Sequence, residues 1–470
     1  MATPMAASKI GVRRLRLPLF AGLLLALALS AAPMPQVNVQ MALATVGQRL
    51  STLLPRSTAT TVRAGGATPT IPTRPELNAP HEHIPNLYIK APHILYALNS
   101  ATGETRWQHA TPEIPNLAPV QDVGVAIEEE NSVTLLSGKT GAPLWRYAPS
   151  SGTIARLMAV YGDTVYAVET YTLSLNKPSD ASDTLLALND ADGSVRWRYV
   201  VAHSHMGFVA IISSLGNPTI FINDDVADFR PTSGSITALS VNNGAVRWRR
   251  VLNGAPGLAP QYVFGDSVIA FAPITLGMTN TGGVYFRLDQ NIGALTWILP
   301  ARQRAAPIFT PTTVYVGDLR RLTAYNMADL SVKWSAIIQG VYAIPLLLGD
   351  RYVAVKTRST FEVYEAASGK FLWSRDHPAT FGIVRLVGKT ICASANTDPG
   401  GLAGFDVASG APRWNYQSAD TLQPSMSLDG ASIFVRTFVD VFSFNPATGA
   451  IRWQTPLDEQ LDVQMDVTPA

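Results

Sequence analysis

A single cysteine, Cys392, stands among 470 residues, which excludes an intrachain disulfide, a CxxC redox pair and a thiolate zinc cluster. It lies in the apolar run Lys389-Thr-Ile-Cys-Ala-Ser-Ala and reads as a small buried residue. Charge is scarce too. Charged residues make up 15% against 47% hydrophobic, a balance too apolar for an intrinsically disordered chain. The formal charge is +2, but Lys9, Arg13, Arg14 and Arg16 precede position 33, leaving 32 bases against 34 acids beyond it. A near-neutral body offers no field for phosphate backbones, so nucleic acid is not an expected partner. Also missing are GxSxG, HExxH, a Walker loop and a GxGxxG between strand and helix, which removes the motif-based routes to hydrolase, zinc peptidase, nucleotidase and dinucleotide enzymes.

What is present begins with Leu17 to Ala32, an apolar run behind those four basic residues and followed by Pro-Met-Pro. Residues 1–32 therefore read as a signal peptide or a membrane anchor. Sixteen residues fall between the ~7–15 of a signal core and the ~20 of a full span. Small residues at Ala28-Leu29-Ser30 and Ser30-Ala31-Ala32 would permit cleavage. The basic flank places whatever follows outside the cytoplasm. Leu15-Arg16-Leu17 after Arg13-Arg14 fits a twin-arginine signal poorly, and no cysteine follows for lipid attachment. Residues 33–85 read as a flexible linker, with a possible short helix at Val37 to Leu54 and a Thr-, Ala- and Pro-rich tether after it. His81-Glu82-His83 in that tether lacks a third fixed ligand and is not assigned a metal.

The nine tryptophans, 107, 145, 197, 248, 297, 334, 373, 414 and 453, are separated by 38, 52, 51, 49, 37, 39, 41 and 39 residues. The windows before them match: Leu95-Tyr-Ala-Leu-Asn-Ser-Ala-Thr-Gly-Glu-Thr-Arg-Trp107 recurs as Leu185-Leu-Ala-Leu-Asn-Asp-Ala-Asp-Gly-Ser-Val-Arg-Trp197 and as Val441-Phe-Ser-Phe-Asn-Pro-Ala-Thr-Gly-Ala-Ile-Arg-Trp453. Gly103, Gly141, Gly193, Gly244, Gly293, Gly369, Gly410 and Gly449 stand four residues before their tryptophans, and Leu330 takes that place once. The alternating stretch up to Asn99 predicts a strand, the Asx and hydroxyl residues a turn, and Gly the positive φ the reversal needs. A second strand then carries the Trp. Lys or Arg precedes it in six copies (Arg106, Arg196, Arg247, Lys333, Arg413, Arg452), where simple alternation puts the charge opposite the indole, guarding an edge strand. Two more strands fit each interval, as at Tyr342 to Leu348 and Tyr352 to Lys356 before Phe361 to Ala366. Four strands per ~40 residues predicts the blade of an all-β propeller, each indole wedged against the neighbouring sheet. The 3.6-residue apolar period of a helical repeat is missing.

No Trp is followed by Asp, which argues against the WD40 type, and no regular Gly-Gly pair supports kelch. Over residues 86–470 the windows resemble the tryptophan-docking repeat of the PQQ-like, or quinoprotein alcohol dehydrogenase-like, β-propellers, roughly Ala-Leu-Asp-x-x-Thr-Gly-x-x-x-Trp. The resemblance implies about eight four-stranded blades, with nine as the alternative. Eight Trp-to-Trp units are complete, and the hairpin at 87–109 is then added at the seam, with Leu461-Asp-Val-Gln-Met-Asp-Val467 supplying its missing strand. Alcohol-oxidising members of that family hold a quinone against a Trp and a disulfide of adjacent cysteines, with calcium on acidic and amide side chains. Cys392 has no neighbouring cysteine, all nine Trp belong to the docking motif, and no CxxCH is present for haem. The resemblance therefore points to the cofactor-free branch, which includes an envelope scaffold for outer-membrane barrel assembly and sensor or adhesion ectodomains.

No catalytic, cofactor-binding or metal residue is assigned; the assigned residues are the nine docking tryptophans and eight glycines. Three consecutive intervals are about ten residues longer, the additions falling between second and third strands at Thr172 to Asp183, Val226 to Ser233 and Pro273 to Gly282. Loops at one topological position form a wall on one face, an expected contact for a protein or glycan. Asn189-Asp-Ala-Asp192 resembles part of a calcium loop but lacks the later Glu and sits on a repeat turn. His203 and His205 lack a third ligand. Glu128-Glu-Glu130 reads as a solvated strand end. The expected function is an exported, non-catalytic interaction or assembly scaffold in the cell envelope. A divergent PQQ-dependent alcohol dehydrogenase-like oxidoreductase is the alternative. A carbohydrate-active propeller would need carboxylates such as Asp289, Glu362 and Asp406 to converge on the axis.

Overall fold

The computed structural model describes residues 86–469, with breaks at 113–114, 151, 172–182, 202–209, 214–217, 224–232, 277–278, 303–305, 377–380, 396–400, 419–422, 429–431, 438 and 458–467. The signal or anchor at 1–32, the linker at 33–85, His81-Glu82-His83, and His203 and His205 lie outside the described residues. All the described residues fall within one compact unit, Thr68–Ala470, and none of them is helical.

Among the described residues the chain forms nine antiparallel four-stranded sheets. Eight of them use four consecutive strands each and span 117–147, 153–201, 210–253, 259–302, 308–337, 344–376, 381–417 and 423–456. The first sheet is built from both ends of the propeller: Asn86–Lys90, Ile94–Asn99 and Thr105–Ala110 are completed by Thr468–Pro469. Leu87 pairs with Pro469 and Tyr88 with Thr468. The favoured count of eight gives way to the alternative of nine, because the opening hairpin acquires a fourth strand and becomes a full blade. The segment expected to supply that strand, Leu461 to Val467, lies outside the described residues; the pairing is made just beyond it.

Strand pattern follows burial. The middle strands are covered on both faces, as in Leu87, Tyr88 and Ile89 and in Leu95 to Leu98, while the Trp-bearing fourth strand alternates buried and open positions as a one-sided edge should. The core is divided between the sheets. One apolar cluster joins Leu87, Tyr96 and Leu98 of the first sheet to Phe434, Val441 and Trp453 of the ninth, so the two ends of the chain share a core. The first strand of the second sheet neighbours that of the third, the third neighbours the fourth and the fourth the fifth. The sixth likewise neighbours the seventh, the eighth the ninth, and Thr468–Pro469 touches both the ninth and the second. Inner strands gathered in this order enclose an axis.

The enlarged intervals do fall between second and third strands. Residues 172–182 and 224–232 lie outside the described ones. The third enlargement is strand: Ser267–Leu276 and Thr279–Asp289 continue their pairing outward, with Pro273 opposite Gly283 and Ile274 opposite Gly282.

Candidate functional site

The seams between sheets repeat one construction. The indole N–H of Trp107 donates to the carbonyl of Gly138 in the next sheet, Trp145 to Asp190, Trp197 to Val241 and Trp248 to Gln290, at 2.7–3.0 Å. Trp297 donates to Met327, Trp334 to Ala366, Trp373 to Val407 and Trp414 to Pro446, at 2.8–2.9 Å. Trp453 reaches back to Ser100 at 3.1 Å, and the Thr455 hydroxyl donates to the Gly103 carbonyl at 2.7 Å, which closes the ring. The face of each indole lies on the turn of the next sheet. A Cβ on Gly103, Gly141, Gly193, Gly244, Gly293, Gly369, Gly410 or Gly449 would sit 2.4–2.8 Å from the indole of the sheet before it. Leu330 adopts the same backbone at φ 57° and packs in the cluster that holds Trp297.

Every third-to-fourth turn has a β-bulge beside the Trp. In the third sheet Ala187 pairs with Trp197 and Leu188 with Val195, so Arg196 is the extra residue. The bulge breaks the alternation that would have put the basic side chain on the face opposite the indole. Arg196, Arg247, Lys333, Arg413 and Arg452 instead reach buried hydroxyls at the opening of the second strand, Thr164, Thr219, Thr313, Thr390 and Ser432. In the fifth sheet Thr296 precedes the Trp, and Arg287 bonds the corresponding Ser267. Leu precedes the Trp in the second and seventh sheets, whose second strands open with Gly124 and Tyr352. This hydroxyl was legible only by aligning strand openings across the repeats.

The candidate polar residues are placed separately. Asn189 accepts from the Ala191 N–H and from Arg196, and Asp192 from the N–H and hydroxyl of Ser194, so both serve their turn. Asp289 accepts from the N–H groups of Asn291 and Ile292. Asp406 is held down at about 2 by its bond from Arg413 and the N–H of Ser409. These two are turn residues of the fifth and eighth sheets, and Glu362 is fully buried in the seventh, so the three do not converge. Glu128 to Glu130 are not simply solvated. Glu128 accepts from the Leu157 N–H of the third sheet at 3.2 Å, Glu129 pairs with His109 of the first at 3.0 Å, and Glu130 pairs with Arg146. They tie three sheets together.

Two buried carboxylates do work the sequence did not single out for them. Antiparallel strands put the second-to-third connections and the links between sheets on the same face of the ring. Glu362 accepts from the N–H groups of Gln339 and Gly340 in one such link, and from the hydroxyls of Thr360 and Tyr364. Glu169 accepts from the Ser150 N–H in another, and from Thr153. Burial alone would raise Glu169, but the Ser150 and Thr153 bonds and the Arg198 charge bring it below the ordinary carboxylate range. Both acids fasten a link to its sheet and present a preformed face.

A quinone and its calcium would need a free indole, adjacent cysteines and a cluster of acidic ligands. Each Trp is committed to a seam, and burial pushes the solitary Cys392 thiol up to about 12. No three His, Cys, Asp or Glu side chains group to hold a metal among the described residues. The residues present do not fit that group.

A family model described as outer membrane protein assembly factor BamB matches residues 92–270 and 280–425. No curated protein matches the chain by sequence. Among solved structures, one described as the eukaryotic initiation factor is 10% identical, covers 80% of this chain and 97% of its own, and superposes with a TM-score of 0.55. BamB from Moraxella catarrhalis is 13% identical over 78% of this chain and 92% of its own, at a TM-score of 0.40. Quinohemoprotein alcohol dehydrogenase from Comamonas testosteroni is 11% identical over 77% and 69%, at 0.42. At such identities the first likeness is one of fold alone, and the two lower scores carry no argument.

Proposed function

The chain belongs to the family of the outer membrane protein assembly factor BamB, and from that premise we propose that it is an exported, non-catalytic propeller serving as a protein-docking scaffold in the cell envelope. The observation that carries this reading is the ring itself. Nine like seams use all the tryptophans, and one face carries the stapled links and the strand ends from which the three enlarged connections leave. A rigid scaffold with variable connections on one face is suited to recognition. The basic flank before residues 17–32 supports export, as a secreted or a membrane-tethered protein. Its partners in this reading are other envelope or extracellular proteins.

Proximity labelling in the native envelope tests it. Shortening the second-to-third connections of the third, fourth and fifth sheets should remove the labelled partners and leave the melting temperature unchanged. Unaltered labelling overturns the docking face. Addition of PQQ and calcium should give no bound-quinone absorbance and no dye reduction with alcohols; turnover would overturn the non-catalytic part.

A further inference from the structure

The link from the sixth to the seventh sheet, residues 338–343, is fixed at many points. The N–H groups of Ile338, Tyr342 and Ala343 donate to the carbonyls of Arg320, Leu319 and Asp318 at 3.0–3.3 Å. Gln339 and Gly340 are held by Glu362, and a Cβ on Gly340 would meet the Thr357 hydroxyl at 2.1 Å. Tyr342 is kept at φ 63°, a left-handed backbone that a bulky residue rarely adopts. Strain of this kind persists only where the surroundings impose it, and it concentrates at binding sites. What it displays is apolar. Leu319 is 50% exposed, Ile337 76%, Tyr342 37% and Ile344 42%, and backbone pairing brings them to one rim. Around them stand exposed cations: Arg320, Arg321, which pairs with Ile337, and Arg358, whose guanidinium lies 5.1 Å over the Tyr342 ring. Lys356, half-buried and opposite Ile344, lies behind them. Of the exposed acids on this side, Asp318 already accepts from the Leu319 N–H and Asp376 stands on the outer strand opposite Thr360, while Glu362 is buried under its own donors.

We propose that this rim is a docking surface for an acidic segment of a partner protein, which sets an apolar side chain among Leu319, Ile337 and Tyr342 while its carboxylates meet Arg320, Arg321 and Arg358. The assignment rests on the scaffold reading and narrows it to one seam. An apolar centre with a charged rim is the usual division of labour, the centre giving affinity and the rim partner choice.

A phage-displayed library of random 12-residue peptides, selected on the full-length chain, tests it. Recovered peptides should carry Asp or Glu beside apolar residues. Leu319→Ser with Ile337→Ser, and separately Arg320→Glu with Arg321→Glu, should weaken them by about tenfold or more, the second pair shifting selection toward basic peptides. Val246→Ser, at another exposed apolar site, should leave binding intact. Peptides without acidic bias, equal loss with Val246→Ser, or no recovered peptide would overturn the proposal. Self-association in sedimentation that Ile337→Ser abolishes would do so too, making a second copy the occupant. Cross-links from a photoreactive residue at position 342 to residues 33–85 would make the chain's own segment the occupant. If partner labelling still depends on the enlarged connections while the peptides fail, the scaffold stands and this rim falls.

Discussion

Gly193 sits at φ 71° with the Trp145 ring 2.8 Å from where its Cβ would be, so one position meets a backbone requirement and a packing requirement together. Gly193→Ala should therefore lose about 1–2 kcal/mol to the left-handed backbone and more to displacement of the indole. Leu330 occupies the same turn position with a side chain and an equally positive φ. Leu330→Gly relieves the backbone and forfeits packing near Trp297, and should change stability by less than Gly193→Ala; denaturant midpoints of the two variants give the comparison. The departure is visible in the sequence, but its harmlessness is not. It depends on how the Trp297 cluster accommodates a side chain, which is a property of the neighbouring sheet.

Strands and turns were readable because each is set by local chemistry: the alternating strand and its polar turn recur nine times, with Gly in eight of the turns, and the strands at Ile344–Leu348, Tyr352–Lys356 and Thr360–Glu365 fall close to where the pattern predicts, the first starting later because Tyr342 belongs to the link. The bulge beside each Trp was not readable, since alternation alone cannot register an extra residue; the basic side chain before the Trp was consequently placed opposite the indole instead of toward Thr164 and its counterparts. Buried acids were equally hidden, because a lone Glu in a strand shows nothing of the distant N–H groups that bind it. Glu169 turns this into a pH test. Its carboxylate is lowered in the folded chain, so its contribution is complete above the unfolded Glu value of about 4.3 and is lost as pH falls through the lower folded value. Melting temperatures of the native chain and of Glu169→Gln should differ most near neutrality and converge as the solution is acidified. A difference that stays constant from pH 7 to 3 would assign the link's stability to packing alone.

At the scale of the molecule, whether the blades form a ring or a row decides what the last tryptophan is worth. Eight complete units suggested a closed ring with a spare hairpin; what reversed the count was the pairing of Leu87 and Tyr88 with Pro469 and Thr468, a contact between residues more than 370 positions apart that no local pattern records. In a row of stacked sheets, Trp453 would be terminal and nearly free of partners. In a ring it closes a seam like any other: Trp453 and Trp197 are each 9% exposed, and each donates its indole N–H to a carbonyl of the following sheet. Trp453→Ala and Trp197→Ala should both cost about 3–5 kcal/mol, as buried large aromatics do, and each variant should still unfold in a single transition, since the remaining seams hold the sheets in one cooperative unit. Calorimetry on the two variants distinguishes the cases. A Trp453→Ala chain that melts close to the native temperature while Trp197→Ala is strongly destabilised would mean that the ninth sheet does not bear on the first, and that the two-residue strand at Thr468–Pro469 is an ornament of an open array.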